Sequence, residues 1–115
     1  MKDSHKPLYD LKELRTISSG DELFFHEMIT LFIDQSESAV QDIKHEFASG
    51  NHAKVVGILH KIKPSVMVMG VNSVAEMIQQ IEHLEFSENN KPTLTSLLTN
   101  IEKILLDVTS QLKQI

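Results

Sequence analysis

The residues best suited to chemistry in this sequence are a histidine and a lysine about one helical turn apart, His60 and Lys63. Side chains three residues apart lie on neighbouring faces of a helix and can reach the same ligand. The neutral imidazole is a nucleophile near pH 7, and an ammonium group stabilises negative charge on a phosphoryl group. We therefore predict that His60 accepts a phosphoryl group and that Lys63 stabilises it.

The segment around His60 has an unusual charge distribution. Residues 47–75 contain no aspartate or glutamate, although the chain has 16 acidic residues in 115 and a net charge of −5. The same segment carries Lys54, Lys61 and Lys63, so it forms a positive patch on an acidic protein. A neighbouring carboxylate would repel an incoming phosphoryl group. From this segment we therefore expect an acid-free surface around His60 and Lys63.

A helical wheel centred on Leu59, Ile62 and Val66 directs His60 toward solvent. Its outward neighbours are mostly small or apolar, whereas a solvated helix face is normally rich in charged residues. This pattern predicts a surface on which a partner protein docks, although a helix packed on both sides within an oligomer remains an alternative. Proline inside the helix predicts a kink, because it offers no N–H to the carbonyl of residue 60. The predicted docking residues are Ala53, Gly57, Lys61, Pro64, Met67 and Val68.

The elements that position these residues are all predicted to be helical, because apolar residues recur at intervals of three and four. We predict one domain over residues 1–115, an antiparallel up-and-down four-helix bundle with a short extra N-terminal helix. The extra helix spans residues 8–17, and the bundle helices begin at Ser19, Asn51, Asn72 or Ser73, and Pro92. Ser19 and Glu22 are predicted to form a capping box, and Gly50 to end the second helix.

The apolar stripes of the four long helices predict the core. The inward residues are Phe25, Met28, Ile29, Phe32, Ser36, Ala39, Val40, Ile43 and Phe47 in the second helix; Val55, Leu59, Ile62, Val66 and Met69 in the third; Val74, Met77, Ile78, Ile81 and Leu84 in the fourth; and Leu94, Leu97, Leu98, Ile101, Leu105, Val108 and Leu112 in the last.

Composition argues against several functional classes. The chain has no cysteine, which removes disulfides and thiolate metal sites. Its negative charge argues against general nucleic-acid binding, and its short apolar runs predict no membrane span or secretory signal. The six histidines form no Glu-x-x-His pair, so no metal site is expected and the other five histidines are interpreted as surface or cap residues. We expect a cytoplasmic protein, and Met1 mildly favours a standalone one.

The segment from His60 through Ser65, followed by Gly70, resembles the signature of the histidine phosphotransfer (HPt) domain. That signature has a histidine, an aliphatic residue two later, a lysine three later, a glycine four later, serine or alanine five later and a glycine about ten later. The family's usual entry segment resembles this chain from Tyr9–Leu11 through Gly20–Asp21. Its second helix is similar to the run Glu27-Met28-Ile29-x-x-Phe32.

The resemblance implies roles for individual residues. His60 is the phosphoryl acceptor, Lys63 lies beside the phosphoryl group, and Gly70 marks the turn after the active helix. Pro64 departs from the family, which commonly has glycine at that position. The family often has a glutamine facing the histidine from the next helix, where this chain has Glu82, with Gln79 one turn earlier. A carboxylate at position 82 could hydrogen-bond the imidazole and orient it, but it would disfavour the phosphorylated form if it lay too close, so the role of either residue stays open.

The resemblance implies a phosphocarrier in a two-component phosphorelay, without a kinase activity or ATP site of its own. The phosphoryl group would arrive from a receiver-domain aspartate and pass to another receiver. The expected partners are response-regulator receiver domains, which supply the Mg²⁺, and a hybrid sensor histidine kinase. We expect a monomer. The alternative is a helical adaptor that binds a receiver or kinase without being phosphorylated.

Overall fold

The computed structural model describes residues 8–115, which are entirely helical apart from their turns. The second helix packs against the third and the fifth, and the fourth also packs against the third and the fifth. These four helices therefore close a four-helix bundle in chain order, and the short first helix lies against the second. The predicted all-α fold is confirmed. The helices are α1 (Lys12–Ser18), α2 (Glu22–Ala48), α3 (His52–Val68), α4 (Asn72–Glu82) and α5 (Lys91–Leu112), with a 3-10 turn at Glu88–Asn90.

The predicted apolar stripes form the core, and most of their members are buried. All five inward residues predicted for α3 are buried, including Met69 directly after the helix. The exceptions on the other helices are half-buried residues at the margins of the core: Met28, Phe47, Met77, Leu84 and Leu97. Burying a large aliphatic or aromatic side chain stabilises a fold by about 1.5–3 kcal/mol. The orientation of each helix about its own axis is therefore determined by its apolar stripe.

The start of α1 differs from the prediction. The helix begins at Lys12 rather than near Leu8, because Asp10 makes two contacts that are not helical. Its carboxylate accepts from the Lys12 N–H at 3.0 Å, and its own N–H donates to the Met69 carbonyl at 3.2 Å. The entry segment is thus tied to the turn between α3 and α4. The expectation based on Met1 lies outside the described residues.

The predicted capping box at Ser19 and Glu22 is wrong. Ser19 has a left-handed backbone (φ 50°, ψ 43°) and ends α1. The N-cap of α2 is Asp21, whose carboxylate accepts from the Phe24 N–H at 3.0 Å. Glu22 instead pairs with Arg15 of α1 at 2.8 Å. Asp21 is a good N-cap residue itself and lies nearer the first apolar residue, so it takes this position.

The turns on either side of α3 follow the sequence closely. Gly50 (φ +79°) lies between α2 and α3, and Gly70 (φ +68°) lies between α3 and α4, both with the left-handed backbone that glycine tolerates. Asn51 takes the predicted N-cap position, but its side chain donates to Glu46 Oε1 at 2.7 Å rather than to the helix. The α3 helix continues through Pro64 to Val68.

Candidate functional site

The position of His60 follows from the way α3 packs. Leu59, Ile62 and Val66 are buried on one side of the helix, which directs the residue after Leu59 away from the core. The His60 side chain is 78% exposed. The structure therefore confirms the prediction that His60 points into solvent.

The neighbouring helix brings a carboxylate to this histidine. Ile78 and Ile81 are buried, and the last residue of α4, Glu82, lies beside α3. Glu82 Oε2 lies 2.9 Å from His60 Nδ1, and Glu82 Oε1 accepts from Lys63 Nζ at 2.9 Å. The Glu82 carboxylate thus bridges His60 and Lys63, the two residues predicted to act on the same phosphoryl group.

The surface around His60 is therefore not acid-free as expected, and the carboxylate left open at position 82 is the one that contacts the ring. The helix that carries His60 has no acidic residue, but the adjacent helix supplies one through tertiary packing. Lys63 is also less available than predicted, since its side chain is only 27% exposed and is paired with Glu82. Of the two residues whose role stayed open, Glu82 is the one in contact with His60.

The electrostatics of Glu82 reflect its two partners. The hydrogen bond from Lys63, and then the one from His60, lowers the pKa of the Glu82 carboxyl below its usual value of 4.5. Partial burial acts in the opposite direction, since desolvation disfavours the charged form. The negative end of the α4 dipole also disfavours a carboxylate at the last residue of the helix. The Lys63 and His60 contacts therefore favour the ionised form of Glu82 against the effect of burial.

The contact with Glu82 also defines the tautomer of His60. An ionised carboxylate accepts hydrogen bonds and cannot donate them, so the proton of a neutral His60 ring lies on Nδ1. The lone pair of the ring is then on Nε2, the nitrogen that Glu82 does not contact. The arrangement is that of a nucleophile whose second ring nitrogen is oriented by a carboxylate.

The predicted docking residues lie on the outward side of α3. Ala53, Gly57, Lys61 and Pro64 are exposed, and Met67 is 56% exposed. Val68 is only half-buried, at the edge of the bundle. Among residues 8–115, Lys54 and Lys61 have no carboxylate within ion-pair distance, so their charges remain available on this surface.

The surface formed by the predicted docking residues continues into an apolar groove of about 190 Å³ between α1, α2 and α3. Pro64, Ser65 and Val68 form its α3 side. The sequence reasoning missed this groove, because it forms only where three helices meet. The signal available in the sequence was Leu31, an apolar residue that lies off the predicted stripe of α2. In the structure Leu31 and Ile17 are both exposed. The other lining residues from α1 and α2 are Leu14, Ile17, Phe24, Met28, Leu31, Phe32 and Gln35.

One of the other histidines differs from its predicted surface role. His52 is half-buried at the start of α3, stacked on Phe86 at 3.6 Å between ring centroids and in edge contact with Phe47. It belongs to the packing at the far end of α3 from Gly70. The described part of the chain contains no cluster of three or more His, Asp or Glu side chains suited to a metal ion. Within residues 8–115, none of the helices combines the length and apolar character needed to cross a bilayer.

The all-helical bundle and the exposed histidine on α3 agree with the comparison with known families. The Hpt domain family model matches residues 27–114, so this chain belongs to the Hpt domain family. Hpt domains have a phosphotransfer role in two-component signalling, as phosphocarriers that interact with receiver domains and kinases. Comparison with curated proteins and with solved structures gives no significant match.

Proposed function

We propose that this protein carries a phosphoryl group on His60 between the aspartates of two receiver domains. The observation that carries the proposal is the 2.9 Å contact between His60 Nδ1 and Glu82, combined with the 78% exposure of the ring. The contact leaves the Nε2 lone pair unengaged by Glu82, on a ring that is mostly exposed to solvent. A phosphoryl donor bound to the outside of α3 can then approach the nucleophile directly.

The proposed transfer step moves the phosphoryl group from a receiver aspartate to His60. The Nε2 lone pair attacks the phosphorus of an aspartyl phosphate, the Nε2–P bond forms, and the P–O bond to the aspartate breaks. The aspartate leaves as a carboxylate, and the proton stays on His60 Nδ1, where Glu82 accepts its hydrogen bond. Transfer to the next receiver is the reverse reaction. The carrier needs to supply only a positioned nucleophile and a docking surface.

The receiver supplies the remaining charge stabilisation in this proposal. A Mg²⁺ ion in the receiver neutralises the phosphoryl oxygens. Lys63 is linked to His60 through Glu82, the carboxylate that both side chains contact. We propose that the Lys63 ammonium stabilises the negative charge of the phosphoryl group when it is released from its contact with Glu82.

The docking surface supports a protein partner. Gly57, one turn before His60, has no atom within 4 Å of the position that a Cβ would take, so the helix backbone is accessible there. Exposed Lys61 and Met67 offer positive charge and apolar area on the same helix, and the groove beside Val68 adds apolar depth. We propose that a receiver lies across this surface, with its acidic phosphorylation pocket facing the lysines.

The test is transfer from a panel of phosphorylated receiver domains to the wild-type protein, a His60→Gln variant and a His45→Gln control. His45 is exposed on α2, so its replacement removes an equivalent side chain elsewhere. We expect wild type and His45→Gln to accept the phosphoryl group and His60→Gln to remain unlabelled while binding the same receiver. Labelling of His60→Gln would refute the assignment. Tight receiver binding without transfer to wild type would favour the adaptor function instead.

A further inference from the structure

The two chemically important side chains of α3 share a single carboxylate. Glu82 Oε1 binds the Lys63 ammonium and Oε2 binds the His60 ring, each at 2.9 Å. The Glu82 side chain is only 18% exposed, so this carboxylate is more enclosed than either partner. In the unphosphorylated protein Lys63 is therefore already engaged by an anion.

Phosphorylation of Nε2 places a negatively charged phosphoryl group on the ring whose other nitrogen contacts Glu82. The phosphoryl oxygens and the Glu82 carboxylate then compete for Lys63, the only ammonium group that contacts Glu82 in residues 8–115. Like charges this close repel each other, and Lys63 cannot fully compensate both anions. This competition for Lys63 raises the free energy of the phosphorylated state relative to the free histidine.

Glu82 also affects bond cleavage. By accepting a hydrogen bond from Nδ1–H, it favours retention of that proton in the phosphorylated ring. When the Nε2–P bond breaks, the imidazole then leaves as a neutral molecule with its proton on Nδ1. A neutral leaving group departs more readily than an imidazolate anion, so the same contact accelerates release of the phosphoryl group.

We infer, resting on the proposed function, that the Glu82 carboxylate biases the His60 site toward phosphoryl release by holding Lys63 and by keeping the proton on Nδ1. The protein is accordingly a carrier with a short-lived phosphohistidine, suited to passing the group on rather than storing it. A glutamine at position 82 still accepts the Nδ1–H hydrogen bond but has no negative charge, so Glu82→Gln separates orientation from charge.

The lifetime experiment needs no receiver. Wild type, Glu82→Gln and a Glu76→Gln control are phosphorylated with phosphoramidate, and the loss of phosphohistidine is followed by ³¹P NMR after the reagent is removed. Glu76 is an exposed acidic residue of the same helix, which makes Glu76→Gln a matched change of charge. We expect a phosphohistidine lifetime about two- to fivefold longer in Glu82→Gln, the range of a partly exposed charge interaction, and an unchanged lifetime in Glu76→Gln. An equal or shorter lifetime in Glu82→Gln would overturn the inference.

A Lys63→Met background tests whether Lys63 transmits the effect. We expect the gain from Glu82→Gln to be smaller when Lys63 is absent, because no ammonium is then released to the phosphoryl group. An undiminished gain would overturn the part of the inference that assigns the competition to Lys63. Far-UV circular dichroism of each variant verifies that the bundle is folded.

A second experiment mixes the loaded proteins with a receiver and measures the phosphoryl group on each partner at equilibrium. We expect the fraction on His60 to rise about two- to fivefold, relative to the receiver, in Glu82→Gln. If wild type and Glu82→Gln both exchange the phosphoryl group with the receiver and reach the same equilibrium, the inference is overturned but the proposed function stands. Loaded wild type that delivers to no receiver would instead overturn the proposed function, whatever the measured lifetimes.

Discussion

Gly70, at the turn between α3 and α4, allows a quantitative test of how the fold supports the site. Its φ of +68° lies in the left-handed region, and a Cβ added there would lie 2.6 Å from the backbone nitrogen of Asp10 and 2.8 Å from its Cβ. Both distances are shorter than real Cβ contacts. Gly50 is the matched control, because it has a φ of +79° and no atom within 4 Å of the added Cβ.

The expected magnitudes follow from three contributions. Alanine in a left-handed conformation costs about 1–2 kcal/mol, and the reduced entropy of the unfolded chain offsets about 0.4–1 kcal/mol of this. At Gly70 the collision also displaces Asp10, whose N–H donates to Met69, and a hydrogen bond of this kind contributes about 0.5–1.5 kcal/mol. We expect Gly70→Ala to lower the free energy of unfolding by about 2 kcal/mol and Gly50→Ala by about 1 kcal/mol or less.

The assay is urea unfolding followed by far-UV circular dichroism, since the chain has no tryptophan and only 1 tyrosine for fluorescence. Equal losses in Gly70→Ala and Gly50→Ala would refute the argument, because the contact with Asp10 would then have no energetic consequence. The folded fraction of Gly70→Ala should still accept phosphate on His60. On this account Gly70 supports the turn between α3 and α4 and has no part in the transfer step.

Three further predictions concern single side chains. Asp21→Ala should lower the free energy of unfolding by about 1 kcal/mol, measured by urea unfolding, because the Phe24 N–H loses its cap; no change would mean that another group replaces it. Lys63→Ala should shorten the phosphohistidine lifetime about two- to fivefold in the ³¹P assay, and an unchanged lifetime would assign Lys63 a structural role only. The lowered pKa of Glu82 means that its charged contacts stabilise the fold above about pH 4.5 and that this contribution is lost as the pH falls through the lower folded-state value. The difference in stability between wild type and Glu82→Gln, measured from about pH 6 down to about pH 3, should therefore disappear at the acidic end, and a constant difference would contradict the pKa assignment.

Sequence periodicity was sufficient for the fold and for the orientation of the active helix. The apolar spacing of Leu59, Ile62 and Val66 determines which side of α3 is buried, and the exposure of His60 follows directly. Local choices between similar residues were harder to predict. Asp21 and Ser19 are both good N-cap residues, and only the backbone geometry showed that Ser19 ends the preceding helix.

Glu82 could be named from the family resemblance, but its contact with His60 could not be derived from single helices. Glu82 is 22 residues from His60 in sequence, and their contact depends on how α4 packs against α3 and where α4 ends. The groove next to Val68 has the same origin, since it forms from three helices at once. The buried face of each helix was therefore predictable, whereas features that depend on the packing of several helices required the structure.

The most direct test of the account is to determine which nitrogen of His60 carries the phosphoryl group. The protein is labelled with ¹⁵N, phosphorylated by a receiver domain, and examined by long-range ¹H–¹⁵N correlation together with ³¹P NMR. The account predicts phosphorus on Nε2 of His60, with the proton retained on Nδ1 in contact with Glu82. Phosphorus on Nδ1, or on a residue other than His60, would contradict it.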